Sequence, residues 1–194
     1  ECTPEYLLQF AYLGNYYAKR VLGVERPRVA LLNIGAESEK GDGLRQEAYA
    51  LLTEASEAGR LHFVGNLEAS EAMLGGADVL VADGFTGNVM LKSLEGTSKF
   101  LLKELKNMFL SSAKTKIAAG LVKGKLSEMK KVLDPSEVGG TPFLGISKPV
   151  IKAHGSSDAR AIRNAVLRAE EYAASGFIAD VEENIELMKV GEGR

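Results

Sequence analysis

The sequence has few of the residues on which many functional sites depend. It contains one cysteine, two histidines and no tryptophan in 194 residues. A single cysteine excludes an internal disulfide and fits a reducing compartment, so we expect Cys2 to be incidental. With only His62 and His154 available, a histidine-rich metal site is not expected. The composition therefore disfavours disulfide-stabilised and metal-centred classes of protein.

Long apolar runs and a strong excess of one charge are also missing. No run approaches the ~18 apolar residues of a membrane-spanning helix, and no signal peptide pattern is present. The formal net charge of −2 argues against a surface devoted to nucleic acid, and no nucleic-acid partner is expected. A hydrophobic share of 45% and a charged share of 26% are ordinary for a globular domain.

The start of the chain predicts that it belongs to something longer. It opens on ECTPEYLLQF, without an initiator methionine, and Thr3-Pro4 begins a helix that no strand precedes. We expect residues 1–194 to form a single α/β domain that is part of a longer parent chain. Some functional residues are then expected to lie outside this sequence.

Three apolar segments are each followed by a polar stretch that contains glycine. The predicted strands are 28–34, 61–64 and 79–82, with helices predicted at 44–58 and 68–74, and the strands end in NIG, VGN and ADG. Strands that alternate with helices at this spacing indicate a parallel sheet. Because ligands bind at the carboxyl ends of parallel strands, the sequence predicts a site at that edge.

The third of these junctions, at 79–100, is the most informative stretch of the chain. A buried strand leads through the turn DGFTGN into a long helix, for which Thr86 offers a hydroxyl cap. Gly84 and Gly87 permit close approach of the backbone to a ligand, and a helix N-terminus presents free N–H groups. Further polar groups at this end are Asp83, Asn88 and Lys92. The alternative interpretation is a plain strand-to-helix turn.

A second junction of the same kind lies near the end of the chain. One or two strands are predicted within 143–153, followed by His154, Gly155, Ser156 and Ser157, and then by a helix at 159–174. Ser157 or Asp158 is the expected cap of that helix. His154 can equally be a hydrogen-bonded structural imidazole. A short amphipathic helix is predicted from 177 onward.

Between the two junctions the chain is rich in lysine. Residues 99–131 contain nine lysines and two glutamates, and they predict a helical arm from about 86 to 133 made of two antiparallel helices. An uncharged hexamer at 117–122 lies between Lys114 and Lys116 on one side and Lys123 and Lys125 on the other. One interpretation is a pair of solvated helices with an apolar dimer face. The other is an apolar tip, formed by Ile117, Leu121 and Val122, that rests on an anionic membrane or docks an acidic partner.

Taken together and in order, these motifs resemble the bacterial phosphate acyltransferase family of phospholipid synthesis. The stretches that carry the resemblance are PEYLLQFAYLG, RVALLNIGAESEKGDGL, FVGNLEA, ADVLVADGFTGNVMLKSLEG, EVGGTPFLG and PVIKAHGSSDARAI. The resemblance implies a three-layer αβα fold with a mostly parallel sheet, similar to that of the isocitrate and isopropylmalate dehydrogenases, and a helical dimerisation arm. It also implies a cytoplasmic homodimer that associates peripherally with the inner membrane.

The resemblance further implies acyl transfer from acyl carrier protein to orthophosphate, with acyl phosphate as the product. Phosphate is itself the nucleophile, so neither a protein nucleophile nor a cofactor is expected. Lys40, which could neutralise phosphate, and Asn88, which could donate to phosphate or to the oxyanion, are the first choices for catalysis. The expected supporting residues are Gly84, Thr86 and Gly87 as donors, Lys92 as a positive charge, and His154, Ser156 and Ser157 closing the pocket. Lys40 as a solvated loop residue and Lys92 as a dimer-interface charge remain open.

Two other functions are weighed against this one. HGSSD and FTGNVMLK resemble the HGSAPD and LFGDILSD motifs of the dehydrogenases, whose aspartates bind a divalent metal. Here Asn88 and Lys92 stand at those positions, and they cannot replace two carboxylate ligands. A metal- and NAD-dependent dehydrogenase is therefore disfavoured. The remaining alternative is a non-catalytic module that binds a membrane or carrier protein.

Overall fold

The computed structural model describes residues 1–132, 140–155 and 157–188. Of the predicted site residues, Ser156 lies outside the described residues, as does the predicted end of the arm at 133. The elements are α1 (Pro4–Arg20), β1 (Arg28–Asn33), α2 (Gly43–Glu57), β2 (His62–Glu68), α3 (Ala69–Ala72), β3 (Val79–Val81), α4 (Gly84–Leu110), α5 (Ala113–Val132), β4 (Thr141–Pro142), β5 (Ile151–Lys152), α6 (Ala159–Ala174), α7 (Phe177–Glu183) and α8 (Ile185–Met188).

A parallel sheet of order β2–β1–β3 forms the centre of the first of two compact units. This unit comprises Glu1–Gly87, Phe143–Val150 and the chain from Glu170 onward. The central strand β1 is buried along Val29–Leu32, which explains its uninterrupted apolar sequence. The prediction of an α/β chain with a parallel sheet is confirmed.

Strand β2 is longer than predicted, because Gly65 does not end it. Gly65 takes a φ of 98°, and the pairing with β1 shifts register there, so that Val29 pairs with Phe63 but Leu31 pairs with Asn66. This is a β-bulge, which glycine permits because it has no Cβ. The predicted loop VGN is therefore part of a strand, and Asn66 is buried in the sheet.

Helix α1 packs against α2 and β3. Thr3 caps it through a 3.4 Å hydrogen bond from the Tyr6 N–H, and Pro4 occupies its first turn, as the sequence predicts. A Cβ on Gly14 would lie 2.5 Å from Val79 Cγ1, so the close approach of α1 to β3 requires glycine. Tyr17 packs against Phe177 of α7 with ring centroids 6.1 Å apart.

The second unit comprises Asn88–Pro142 and Ile151–Ala169, and its described part contains most of α4 and all of α5. The two predicted arm helices are present, but α4 begins at Gly84 rather than Thr86, and the turn falls at Ser111-Ser112. Ser112 caps α5 by accepting the Thr115 N–H at 3.2 Å. The uncharged hexamer 117–122 therefore lies within α5 and not at the turn. In the described part of the chain, α4 and α5 hardly touch each other, which contradicts the predicted antiparallel pairing.

The strands predicted within 143–153 are two very short ones. β4 and β5 pair antiparallel, with Thr141 opposite Lys152, and 143–150 forms the connection between them. The hairpin begins before Phe143 because Gly140 packs closely on Ile151, where a Cβ would lie 2.6 Å from Ile151 Cγ2. Asp158 caps α6 by accepting the Ala161 N–H at 2.8 Å, which confirms one of the two predicted caps.

Candidate functional site

Loop 34–42, between β1 and α2, carries Lys40 and is held by side-chain amides. The Asn33 Nδ2–H donates to the Lys40 carbonyl at 3.0 Å, and the Asn66 Nδ2–H donates to the Glu37 carbonyl at 2.7 Å. Gly41 takes a φ of 90°, and a Cβ there would lie 2.6 Å from Asn33 Oδ1. The Lys40 side chain itself is exposed. A fixed backbone thus presents a solvent-exposed ammonium group.

The first turn of α4 is capped by Asp83 and not by Thr86. Asp83 Oδ1 accepts the Phe85 N–H at 3.0 Å and the Thr86 N–H at 2.9 Å, and Oδ2 accepts the Thr86 hydroxyl at 2.6 Å. The N–H and hydroxyl of Thr86 are therefore already donated within the protein. The prediction that Thr86 caps the helix is wrong, because α4 begins at Gly84, so that Asp83 occupies the N-cap position and Thr86 lies inside the first turn.

The half-buried guanidinium of Arg45, a residue that the sequence analysis did not single out, contacts this cap. Its Nη2 contacts the Asp83 carboxylate and donates to Thr86 Oγ1 at 2.9 Å, while its Nη1 donates to Asp42 Oδ2 at 2.8 Å. Since Asp42 caps α2 through a 3.1 Å bond from the Arg45 N–H, one guanidinium connects the N-termini of α2 and α4. The spacing of Asp42 and Arg45 in the first turn of α2 is a local signal for their own ion pair but not for the contact with Asp83.

The environment of Asp83 keeps it ionised. Burial raises the pKa of Asp83, but the hydrogen bonds from Thr86 and the positive charge of Arg45 outweigh burial and leave it below its ordinary value. The side chains of Asp83 and Arg45 are 13% and 16% exposed. The carboxylate offsets the partial positive charge of the helix N-terminus. The Thr86 hydroxyl and the N–H groups of Phe85 and Thr86 are therefore already donated within this turn, and its positive end is partly neutralised.

In the second unit, Lys92 is also neutralised. Its Nζ lies 2.9 Å from Glu95 Oε2, one helical turn further along α4. The Lys92 hydrogen bond lowers the pKa of Glu95, with smaller contributions from Lys99 and His154. Glu95 is thus a second residue that the sequence analysis did not identify. Its presence removes much of the extra positive charge that Lys92 was expected to supply.

The other predicted residues fall into the same two units. Gly84 and Gly87 lie in the first turn of α4, in the first unit, and Gly87 donates its N–H to the Asp83 carbonyl at 2.9 Å. Asn88 is exposed on the next turn, in the second unit. His154 and Gly155 are exposed there too, and the Ser157 N–H donates to the His154 carbonyl at 3.0 Å.

The described residues include neither a candidate metal site nor a candidate membrane span. Within 1–132, 140–155 and 157–188, no three histidine, cysteine, aspartate or glutamate side chains are grouped so that they could hold a metal ion. Over the same residues, no helix combines the length and apolar character needed to cross a membrane.

These features define an α/β protein with a parallel sheet, in which two capped helix N-termini are joined by an arginine beside a lysine-bearing loop. The chain belongs to the family described as "Fatty acid synthesis protein", whose model matches residues 1–180.

Curated relatives extend the likeness over nearly the whole chain. It is 48% identical to "Phosphate acyltransferase" of Geobacillus thermodenitrificans over 186 residues, which is 96% of this chain and 56% of that protein. It is 44% identical to the protein of the same name from Lysinibacillus sphaericus over 190 residues, which is 98% of this chain and 56% of that protein. The chain therefore spans about half the length of these curated relatives.

Proposed function

We propose that this chain, within a protein of its relatives' length, takes part in the transfer of a fatty acyl group from acyl carrier protein to orthophosphate. The observation that carries the proposal is its identity of 44–48% to proteins named phosphate acyltransferase over almost all of its residues. The product is an acyl phosphate that supplies phospholipid synthesis.

The reaction requires little covalent participation by the protein. A phosphate oxygen attacks the thioester carbonyl, a carbon–oxygen bond forms, the carbon–sulfur bond breaks, and the thiolate takes up a proton. The protein must hold phosphate against the carbonyl and stabilise the oxyanion. We assign the first role to Lys40 and the second to the Asn88 amide, while Asp83, Gly84, Thr86 and Gly87 shape the turn.

The charges around Lys40 support this assignment. Among the described residues, no carboxylate lies within 4.0 Å of Lys40 Nζ, whereas Lys92 is paired with Glu95 and Arg45 with two aspartates. An ammonium group that is not already neutralised attracts an anion more strongly. Lys92, His154, Gly155, Ser156 and Ser157 then serve as further contacts to substrate.

The same proposal includes the finer fold and the homodimer. We assign the chain to a three-layer αβα fold of the dehydrogenase type, with α4 and α5 as its dimerisation arm. No side chain of α4 is buried, although it carries large apolar residues, among them Phe100, Leu101 and Met108, that are more than half exposed. A second copy that covers them would remove this surface from water.

Peripheral attachment to the inner membrane, from the cytoplasmic side, is the last part of the proposal. Ile117 and Leu121 are 69% and 85% exposed and lie four residues apart on one face of α5, next to the less exposed Val122. Lys114 and Lys125 continue that face, whereas Lys116 and Lys123 lie toward the opposite side of the helix. This pattern suits shallow insertion with lysines at the lipid headgroups.

Release of the carrier-protein thiol, with and without orthophosphate, tests the function. We expect phosphate-dependent release by the full-length protein and little or none by this chain alone. Magnesium-dependent dinucleotide binding without thiol release would instead indicate a dehydrogenase. Binding of vesicles or carrier protein without turnover at full length would indicate a non-catalytic module.

A further inference from the structure

Four backbone carbonyls of loop 34–42 each accept a hydrogen bond from a side-chain amide. Asn66 Nδ2 donates to the carbonyl of Glu37 at 2.7 Å, and Asn33 Nδ2 donates to that of Lys40 at 3.0 Å. Gln46 Nε2 donates to the carbonyls of Glu39, at 2.8 Å, and of Gly41, at 3.2 Å. The three donors come from β2, β1 and α2, so the loop is fixed to three separate elements.

The two asparagines are well suited to hold a loop. Asn33 and Asn66 are only 8% and 6% exposed, so an amide that lost its carbonyl could not readily bond to water instead. The bulge at Gly65 adds to this arrangement. In a regular strand a shift of one residue moves a side chain to the opposite face, so the bulge decides on which face Asn66 lies.

The chemistry of the donors matters for an anion that binds at Lys40. Carbonyl oxygens held by amide groups are turned toward those groups and cannot also face the anion, which they would repel. Because amides are uncharged, they bind the carbonyls without adding a positive charge that would compete with Lys40 for phosphate. The arrangement therefore fixes the backbone while leaving the Lys40 ammonium unpaired.

We propose that Asn33, Gln46 and Asn66 form an amide clamp that sets the conformation of loop 34–42 and so positions Lys40 for its anionic substrate. The three amides act through Lys40 and are positioning residues. That the three amides fix loop 34–42 follows from their contacts alone. That they thereby position Lys40 for its anionic substrate rests on the proposed function.

Isosteric substitutions separate the clamp from general stability. Asn33→Asp and Asn66→Asp keep side-chain size but replace the donor with an oxygen that repels the carbonyl. Asn15→Asp is the matched control, since Asn15 is 1% exposed on α1 and its Nδ2 has no hydrogen-bond partner among the described residues. Gln46→Glu alters the third clamp amide at an exposed position, and it tests the clamp if the variants at the buried asparagines fail to fold.

The first measurement is limited trypsin cleavage of the full-length protein after Lys40, read by mass spectrometry. Well below the unfolding temperature, we expect Asn66→Asp, Asn33→Asp and Gln46→Glu to be cut about tenfold faster than wild type and Asn15→Asp, in line with the loss of one or two contacts. Equal cleavage rates in clamp and control variants would overturn the clamp.

The second measurement is the KM for orthophosphate. We expect Asn66→Asp to raise it about tenfold, and to raise it no further when Lys40 is already alanine, because the clamp acts through Lys40. An undiminished effect in the Lys40→Ala background would refute positioning. If the wild type shows no phosphate-dependent thiol release at all, the proposed function fails, and the cleavage result still decides the clamp.

Discussion

Lys40 differs from the other positively charged residues near the carboxyl edge of the sheet in that it forms no ion pair among the described residues. Arg45 is shared between two aspartates and Lys92 is held by Glu95, but Lys40 has no carboxylate within ion-pair distance among the described residues. The side chain most able to attract a free anion is therefore the one on the loop after β1. We therefore expect substitution of Lys40 to affect turnover more than substitution of Lys92.

Replacing Lys40 with alanine should reduce phosphate-dependent turnover by about 10²-fold or more, because it removes an unpaired charge from the developing transition state. Lys92→Ala is the matched control, and its effect should be clearly smaller since Glu95 already compensates that charge. Thiol-release rates and circular dichroism of both variants provide the measurement. A near-normal rate in a folded Lys40→Ala protein would remove Lys40 from the site.

Asn88→Ala should also lower the rate constant by about 10²-fold if its amide donates to the oxyanion, as for other oxyanion donors. Asn107→Ala gives a control on the same helix, where the amide donates to Glu104 Oε1 at 3.3 Å. We expect that control to keep its full rate. Comparable losses in the two variants would point to a disturbed helix and not to a catalytic amide.

Acid stability should depend on Asp78. Its hydrogen bonds with Arg28 lower the pKa of Asp78 from 3.8 to about 2. A depressed carboxyl pKa stabilises the folded state above the unfolded pKa, and this contribution is lost as pH falls through the folded pKa. Asp78→Asn should therefore be less stable at neutral pH, and the difference from wild type should shrink between pH 4 and 2. Thermal unfolding across that range measures it, and a constant difference would contradict the assignment.

At the scale of elements, sequence patterns predicted the type of most helices and strands but not several boundaries. The apolar period identified α1 and α4, a terminal glycine marked the end of α2, and a capping residue marked the start of α6. Local chemistry that a period does not record decided the rest. Gly65 produced a bulge instead of a strand end, and Asp83 capped an α4 that begins two residues before the predicted start.

The same limit applies to the candidate site. Loop 34–42 and the α4 turn could be located from glycine and polar residues after apolar runs. Glu95 could have been located too, because it lies three residues from Lys92 on the same helix. The partners Arg45 and Asn66 could not, because Arg45 meets Asp83 across 38 positions and Asn66 meets Glu37 across 29. Such contacts depend on how strands are paired, which local spacing does not specify.

Helix α5 should bind anionic vesicles through its apolar face. Leu121→Glu plus Val122→Glu should abolish flotation with phosphatidylglycerol vesicles, since insertion would bury two carboxylates. Leu121→Ser plus Val122→Ser removes the apolar area without adding charge and should weaken binding to an intermediate level. Each lysine near the surface contributes about 1 kcal/mol, so salt should weaken the wild type as well. Equal flotation of all three proteins would exclude insertion by this face.

At the scale of the whole molecule, the chain combines a unit whose central strand β1 is buried with a unit whose longest helix buries nothing. The core residues of β1 and α1 are close to fully buried, whereas α4 leaves Leu101 and Met108 52% and 51% exposed. Such an apolar surface is unusual on a helix that faces only water. In the proposed homodimer, a second copy of the chain covers this apolar surface of α4.

Leu101 and Met108 lie seven residues apart, and so on the same face of α4, which makes them a direct test of that homodimer. Lysine at both positions would place like charges opposite each other across a two-fold interface and should convert a dimer into a monomer at micromolar concentration. Lys103→Glu plus Lys106→Glu changes the charge of the same helix without altering its large apolar residues and should leave the dimer intact. Sedimentation velocity on the full-length protein distinguishes the two states. A monomeric wild type at micromolar concentration would remove α4 as a dimerisation surface, and dissociation by both variants would attribute association to charge instead of apolar contact.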